Sequence, residues 1–309
     1  MDAIGLVSGI LGIVDFFQSN FKPGEVKGNL IRIKAGLAQG DDEVDIEGNI
    51  AAVYAWDQSH NYMGKSNGGQ YIKEGDFGDF VMDQFVDGKR IGYAAVTADK
   101  DAVCIAWITI TMNDGTPKGA WTGDIGSDCG QAWYPSNEIA GTLKDSNESY
   151  FPRCTWLDGD RSGDATVAAM KFSVAAYGNE VQKTVEYKNQ CHFTLWRPVT
   201  GAIAGKPGKR SDMPRKAWME NRLVVSEIPQ HKASDLCNST TSWGPDFVGS
   251  DGMFCDMHTK TLSPVCSFHD TDGCIEVDVD EKTIAKRFTV AKRQVVEKHK
   301  SYGKVSQWS

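Results

Sequence analysis

The sequence predicts a mainly β protein. It reads as an antiparallel β-sandwich, jelly-roll-like, preceded by an N-terminal amphipathic helix and followed by a small disulfide-stapled C-terminal region. Three observations carry this. Segments within residues 27–200 alternate apolar and polar side chains and are rich in β-branched and aromatic residues. Residues 3–17 instead place apolar side chains at helical spacing. The eight cysteines divide four and four about residue 200.

The first element is residues 1–22. Ala3 to Phe17 reads AIGLVSGILGIVDFF, with apolar positions 4, 7, 11 and 14 and a narrow stripe of Gly5, Ser8, Gly12, Asp15 and Ser19. Gly5 and Gly9 form a Gly-x-x-x-Gly pair that permits close helix contact. Such a helix packs in a groove of its own chain, joins a second copy into an oligomer, or makes peripheral contact with a membrane through residues 3–17. At about 1.5 Å per residue, this stretch reaches about 22 Å, short of a bilayer core. No Lys or Arg precedes Lys22 to hold anionic lipid.

Residues 27–200 form the predicted sandwich domain. Leu30–Lys34, Ile50–Trp56, Arg90–Val96, Val103–Thr111, Val167–Ala176 and His192–Trp196 read as strands, and Met112-Asn-Asp-Gly-Thr116 as a hairpin turn. Residues 201–210 are a linker, rich in Gly, Pro and Lys. Residues 211–309 hold four cysteines among short apolar runs and end in a basic tail, read as surface helix, strand or trimmed segment.

The net charge of −8 is unevenly spread. Residues 1–200 carry 17 basic and 27 acidic side chains, a balance of −10, and residues 201–309 carry 16 and 14, a balance of +2. An acidic chain with no basic block is a poor nucleic-acid binder. No apolar run reaches the roughly 18 residues of a membrane-spanning helix.

Cys104, Cys129, Cys154 and Cys191 fall in the first part, and Cys237, Cys255, Cys266 and Cys274 in the second. The parity predicts two bridges in each, with pairings that spacing leaves open. Asn147-Glu-Ser and Asn238-Ser-Thr are glycosylation sequons in polar, turn-like stretches. Lys-Arg pairs ending at Arg210, Arg287 and Arg293 have the form of sites for kexin-type processing proteases. Together these features predict a secreted, extracellular glycoprotein. The N-terminus lacks the basic start and small-residue cleavage site of a signal peptide, which suits a mature chain with an added start Met or a cytosolic start.

Trp121-Thr-Gly-Asp-Ile-Gly-Ser-Asp-Cys-Gly-Gln-Ala-Trp-Tyr134 and Cys154-Thr-Trp-Leu-Asp-Gly-Asp160 carry a resemblance. So do Ser242-Trp-Gly-Pro-Asp-Phe-Val248 and Phe254-Cys-Asp-Met257. These stretches resemble a family of secreted proteins in filamentous ascomycete fungi. The resemblance spans most of the chain and implies source and compartment. The family has no assigned activity, so no catalytic residue follows from it.

Two clusters carry candidate chemistry. Trp121, Trp133, Tyr134 and Trp156 lie near Asp124 and Asp128, and aromatic faces beside carboxylates suit sugar rings; the same rings also serve as core. Asp158, Asp160, Ser162 and Asp164 place oxygens at alternate positions, as at the start of a Ca²⁺ loop, with Ala169 where that loop needs Glu. Asp256, His258, His269 and Asp270 are a weaker metal grouping. No nucleophile-elbow, zinc-protease or phosphate-loop motif occurs.

The sequence thus predicts a non-enzymatic binding protein, lectin-like or effector-like, that meets a glycan or a host or competitor protein. A membrane-active toxin using the N-terminal helix and a secreted carbohydrate-active hydrolase are the alternatives.

Overall fold

The computed structural model describes residues 3–9, 12–22, 28–38, 46–66, 68–160, 167–198, 201, 215–290 and 293–309. The chain forms two compact units. The first comprises Met1–Leu37 and Val44–Met213, the second Ala38–Glu43 and Pro214–Ser309.

The first unit begins with β1 (Ala3–Gly9), β2 (Gly12–Phe17), β3 (Leu30–Ala35), β4 (Gly48–Trp56) and β5 (Tyr62–Ser66). Next come β6 (Gln70–Ile72), β7 (Phe77–Gln84), β8 (Tyr93–Ala98), β9 (Val103–Thr111) and β10 (Pro117–Thr122). Helix α1 (Gly123–Asp128) precedes β11 (Trp133–Tyr134), β12 (Gly141–Leu143), β13 (Ser149–Tyr150), β14 (Cys154–Leu157) and β15 (Ala169–Ser173). Helices α2 (Val181–Glu186) and α3 (Gln190–Phe193) lead into β16 (Thr194–Arg197).

The main sheet runs β11-β14-β9-β3-β7-β5-β4-β8-β15-β16, with β10 added beside β9 and β6 beside β4. All its pairings are antiparallel. The class is therefore mainly β and antiparallel. The sheet is continuous through the β5–β7 pairing. One core joins its two halves: Ile31, Ile33, Ile108 and Ile110 from one side, Val53, Val96, Met170 and Phe172 from the other. All nine residues of β9 are buried, which explains why Val103–Thr111 reads as an almost unbroken apolar run. The predicted turn is present: Gly115 has φ of +79°, and the Asp114 carboxylate accepts from the Thr116 amide.

The N-terminus departs from expectation. Residues 3–17 are two strands, not a helix. They pair antiparallel, Ala3 with Phe17 through Gly9 with Gly12, and β2 pairs onward to β12. Three glycines in the stretch each cost a helix about 1 kcal/mol, and Ile4, Val7, Ile13 and Val14 prefer the pleat. The oligomer and membrane readings drawn from that helix lose their basis.

The second unit contains α4 (Ala217–Glu220), β17 (Arg222–Ser226), α5 (Ala233–Asn238), β18 (Asp246–Val248), β19 (Met253–Asp256) and β20 (Thr261–Pro264). It continues through β21 (Ile275–Asp278), β22 (Thr283–Val290), β23 (Arg293–Ser301) and β24 (Lys304–Trp308). One sheet runs β20-β19-β18-β17-β24, the other β21-β22-β23. Strand β17 is parallel to both β18 and β24, so this unit is mixed rather than antiparallel. Leu223, Val248, Phe254, Val265, Ile275 and Ile284 form its core. The C-terminal segment is an integral strand. Trp308 is buried against Phe247 and His231, and its indole N–H donates to the Ala38 carbonyl.

All eight cysteines are paired: Cys104–Cys154, Cys129–Cys191, Cys237–Cys255 and Cys266–Cys274. Each bridge stays within its unit, two and two. Four structural bridges fit maturation in an oxidising, extracellular setting. Among the described residues, no helix is long and apolar enough to cross a membrane.

Candidate ligand-binding face

The outer face of β5, β4, β8 and β15 carries aromatic rings in register. Strand alternation sends Val53 and Ala55 inward to the core and Tyr54 and Trp56 outward. Tyr62 of β5 lies opposite Trp56, and Trp56 lies opposite Tyr93 of β8. One row across the sheet is therefore Tyr62, Trp56 and Tyr93. The adjacent row is Lys65, Tyr54, Ala95 and Lys171.

The rings touch. Trp56 and Tyr62 centroids are 5.7 Å apart, Tyr62 and Phe85 5.6 Å, and Tyr54 and Trp56 6.4 Å. Small Ala95 and Ala169 leave room for Trp56 to lie down on the sheet. Trp56 is only 7% exposed, but Tyr62 is 41% and Phe85 74% exposed. Large apolar side chains this open usually mark contact surfaces.

The loop from Asp57 to Asn61 frames one side. The Asp57 carboxylate accepts from the Ser59 amide, the Asn61 amide and the Asn61 side chain at 2.9, 2.8 and 3.0 Å. It also pairs with Lys89 at 2.6 Å. The Lys89 hydrogen bond, then that of Asn61, holds its carboxyl well below the usual range. His60, at φ of +62°, stacks on Tyr93 at 4.0 Å. Gly92 makes this possible, because a Cβ there would lie 2.5 Å from the Gln58 nitrogen.

Lys171 completes the face. Its Nζ is 3.6 Å from the Trp56 ring centroid and 5.6 Å from that of Tyr93. The residue is 7% exposed, and burial lowers its pKa from the ordinary lysine value. Its direct cross-strand neighbours are Ala95 and Leu195, neither of them acidic.

The aromatic cluster expected from sequence is elsewhere and closed. Trp121, Trp133, Tyr134 and Trp156 are all buried. Trp121 packs on Phe172 and Trp196, and the Arg153 guanidinium covers Trp133 at 4.1 Å. Stacking a sugar needs an open ring face, so these four are core. Asp124 is buried on α1. It accepts from the Tyr150 hydroxyl and, at 3.2 Å, from the Arg153 amide. Burial lifts its pKa to about 6, against the pull of Arg153 and Tyr150. Asp128 is exposed and 3.4 Å from the Gln190 side-chain nitrogen. The chain does bring the six together around α1 and β14, but as a structural cluster.

Asp158 is fully buried and Asp160 exposed, while Ser162 and Asp164 lie outside the described residues. Among the described residues, no three His, Cys, Asp or Glu groups converge as for a metal ion. Asp256 instead faces Lys300 at 2.6 Å, and Asp270 pairs with Arg287. Buried Asp246 accepts from Tyr302 and Lys300 at 2.9 and 3.0 Å and pairs with Arg215 at 3.1 Å, a compensated network that fixes the second unit.

Asn147, at φ of +57° in the β12–β13 turn, and Asn238, at the end of α5, are both exposed. Arg287 lies inside β22 with β21 and β23 on either side, so its backbone is not free to enter a protease cleft. Arg293 opens β23, and Arg210 lies outside the described residues.

A separate cavity of 290 Å³ is lined by Ser66, Gly68, Gly69, Gln70, Asp79, Phe80 and Val81. Its one carboxylate, Asp79, is committed to Arg32 at 2.7 Å and Lys22 at 3.1 Å. That leaves no free carboxylate pair for glycoside hydrolysis there.

The signal for the outer face was in the sequence as Tyr54-x-Trp56, an alternation that puts two aromatic rings on one side of a strand. The partners Tyr62, Tyr93 and Lys171 become neighbours only through strand register. The chain matches no protein-family model and no curated protein.

Proposed function

We propose that the protein is a secreted, non-enzymatic glycan-binding protein of the filamentous-fungal kind that its sequence resembles, acting at a cell surface. We also read its main antiparallel sheet, with one core shared by its two halves, as a sandwich-type scaffold for that face. The observation that carries the function is the register of Tyr62, Trp56 and Tyr93 across three strands: Tyr62 and Phe85 are the rings open to solvent, and Trp56, buried under the Lys171 ammonium, backs them. Aromatic rings with an apolar face and a polar tip suit sugars, whose rings combine C–H faces with hydroxyl rims. Gln58 and Asn61 are exposed on the neighbouring loop and supply amide donors and acceptors. The surface is a face rather than a deep cleft, which favours an extended chain over a small molecule. Glycosylation at Asn147 and Asn238 belongs to the same reading.

A glycan array probed with the intact protein and with the Tyr62→Ala, Tyr93→Ala double variant tests it. Binding to a defined group of glycans, lost in the variant, is expected. An array with no hits, or hits unchanged in the variant, overturns it.

A further inference from the structure

The ammonium of Lys171 is out of place for a structural residue. Lysine is almost never this buried without a carboxylate partner. In this unit Asp57 takes Lys89, Asp79 takes Arg32 and Lys22, Glu138 takes Lys34 and Asp114 takes Arg90. Among the described residues, the contacts of the Lys171 ammonium are the faces of Trp56 and Tyr93. The rings compensate part of the lost hydration of a cation and leave its hydrogen-bonding capacity unused.

The geometry points to an anionic sugar as the ligand: a saccharide chain lies on the aromatic face, and one carboxylate or sulfate on it pairs with the Lys171 ammonium. This rests on the glycan-binding reading above and adds the charge of the ligand to it. Charge complementarity at the face rests on Lys171 itself: in its cross-strand row Lys65 stands opposite Asp83 of β7, whereas Lys171 stands between Ala95 and Leu195. The chain as a whole carries −8, which repels a dense polyanion. An occasional acidic unit among neutral sugars fits both facts.

Matched saccharide pairs test it. Calorimetric titration uses xylotetraose with and without one glucuronic acid branch, and a galactan oligomer with and without one sulfate. Each is titrated into the wild type, Lys171→Met and Lys171→Arg. The free-acid or sulfated member of a pair is expected to bind about tenfold or more tightly than its neutral twin. Lys171→Met erases that difference and Lys171→Arg keeps it. Methionine preserves the apolar packing on Trp56, and an unchanged near-ultraviolet circular dichroism spectrum shows that it folds. Equal binding of acidic and neutral members, with no effect of Lys171→Met, overturns the anionic inference and leaves the glycan reading intact. Binding of neither member of any pair overturns both. A difference confined to carboxylates or to sulfates identifies the anion.

Discussion

The ammonium of Lys171 on β15 lies 3.6 Å from the centre of the Trp56 ring on β4, reaching across the intervening strand β8. This contact joins the two unusual features of the first unit, an outward-facing aromatic row and a buried cation with no carboxylate partner among the described residues. A cation–π contact that is largely desolvated contributes up to about 2 kcal/mol, while burying an ammonium costs several. The pair is thus held at a cost to stability, as residues retained for binding often are.

Replacing Lys171 by Met should therefore raise stability. The thioether chain fills the same space over Ala95 and removes the desolvated charge. A gain of about 1 kcal/mol is expected in urea denaturation, together with the loss of acidic-ligand binding. A clear loss of stability would mean that the cation serves the fold.

Asp124 gives the fold a pH signature. Its pKa rises from 3.8 to about 6, chiefly by burial, so between those values the native chain holds a proton that the unfolded chain has released. Stability contributed by the neutral acid is full below the unfolded value and falls as pH rises through the native one. The loss is about 3 kcal/mol at most. Asp124→Asn, which cannot ionise, should flatten the stability profile between pH 4 and 6. An identical slope in the variant would assign the effect elsewhere.

The bridges should differ in worth. Cys104–Cys154 closes a loop of 50 residues and Cys266–Cys274 one of 8. Loop-closure entropy gives about 4 and about 2.5 kcal/mol. Paired Cys→Ala variants measured by denaturant titration should rank in that order. The reverse order would show that strain or residual structure outweighs chain entropy.

Trp308 should be essential to the second unit. It is buried in a strand parallel to β17, between Phe247 and His231. Trp308→Ala should cost about 3–5 kcal/mol in chemical denaturation. An unaltered midpoint would mean that β24 is dispensable and restore the reading of a trimmed tail.

The strand class was legible because alternation and β-branched content are local. The runs Ile50–Trp56 and Val103–Thr111 both became strands. The N-terminal segment was not legible. Its apolar positions fit a helix, yet β2 pairs with β1 on one side and on the other with Gly141–Leu143, over 120 residues away, a partner that local spacing does not show. The aromatic density from Trp121 to Trp156 reads as a stacking surface, yet the rings are buried; burial separates a stacking ring from a core ring, and spacing does not report burial. Tyr54, Trp56 and Tyr62 were visible as letters, but their union with Tyr93 and Lys171 depends on cross-strand register. The two-and-two division of the disulfides was readable from cysteine parity, and the pairings needed the fold.

The central claim is that saccharide lies on the outer face of β4, β5 and β8. Indole proton–nitrogen correlation spectra of the protein, titrated with an array-positive oligosaccharide, test it most directly among the nine tryptophans. The account predicts that the Trp56 resonance shifts in a saturable way while those of buried Trp121 and Trp156 stay fixed. Shifts at Trp121 or Trp156 with Trp56 unmoved would contradict it.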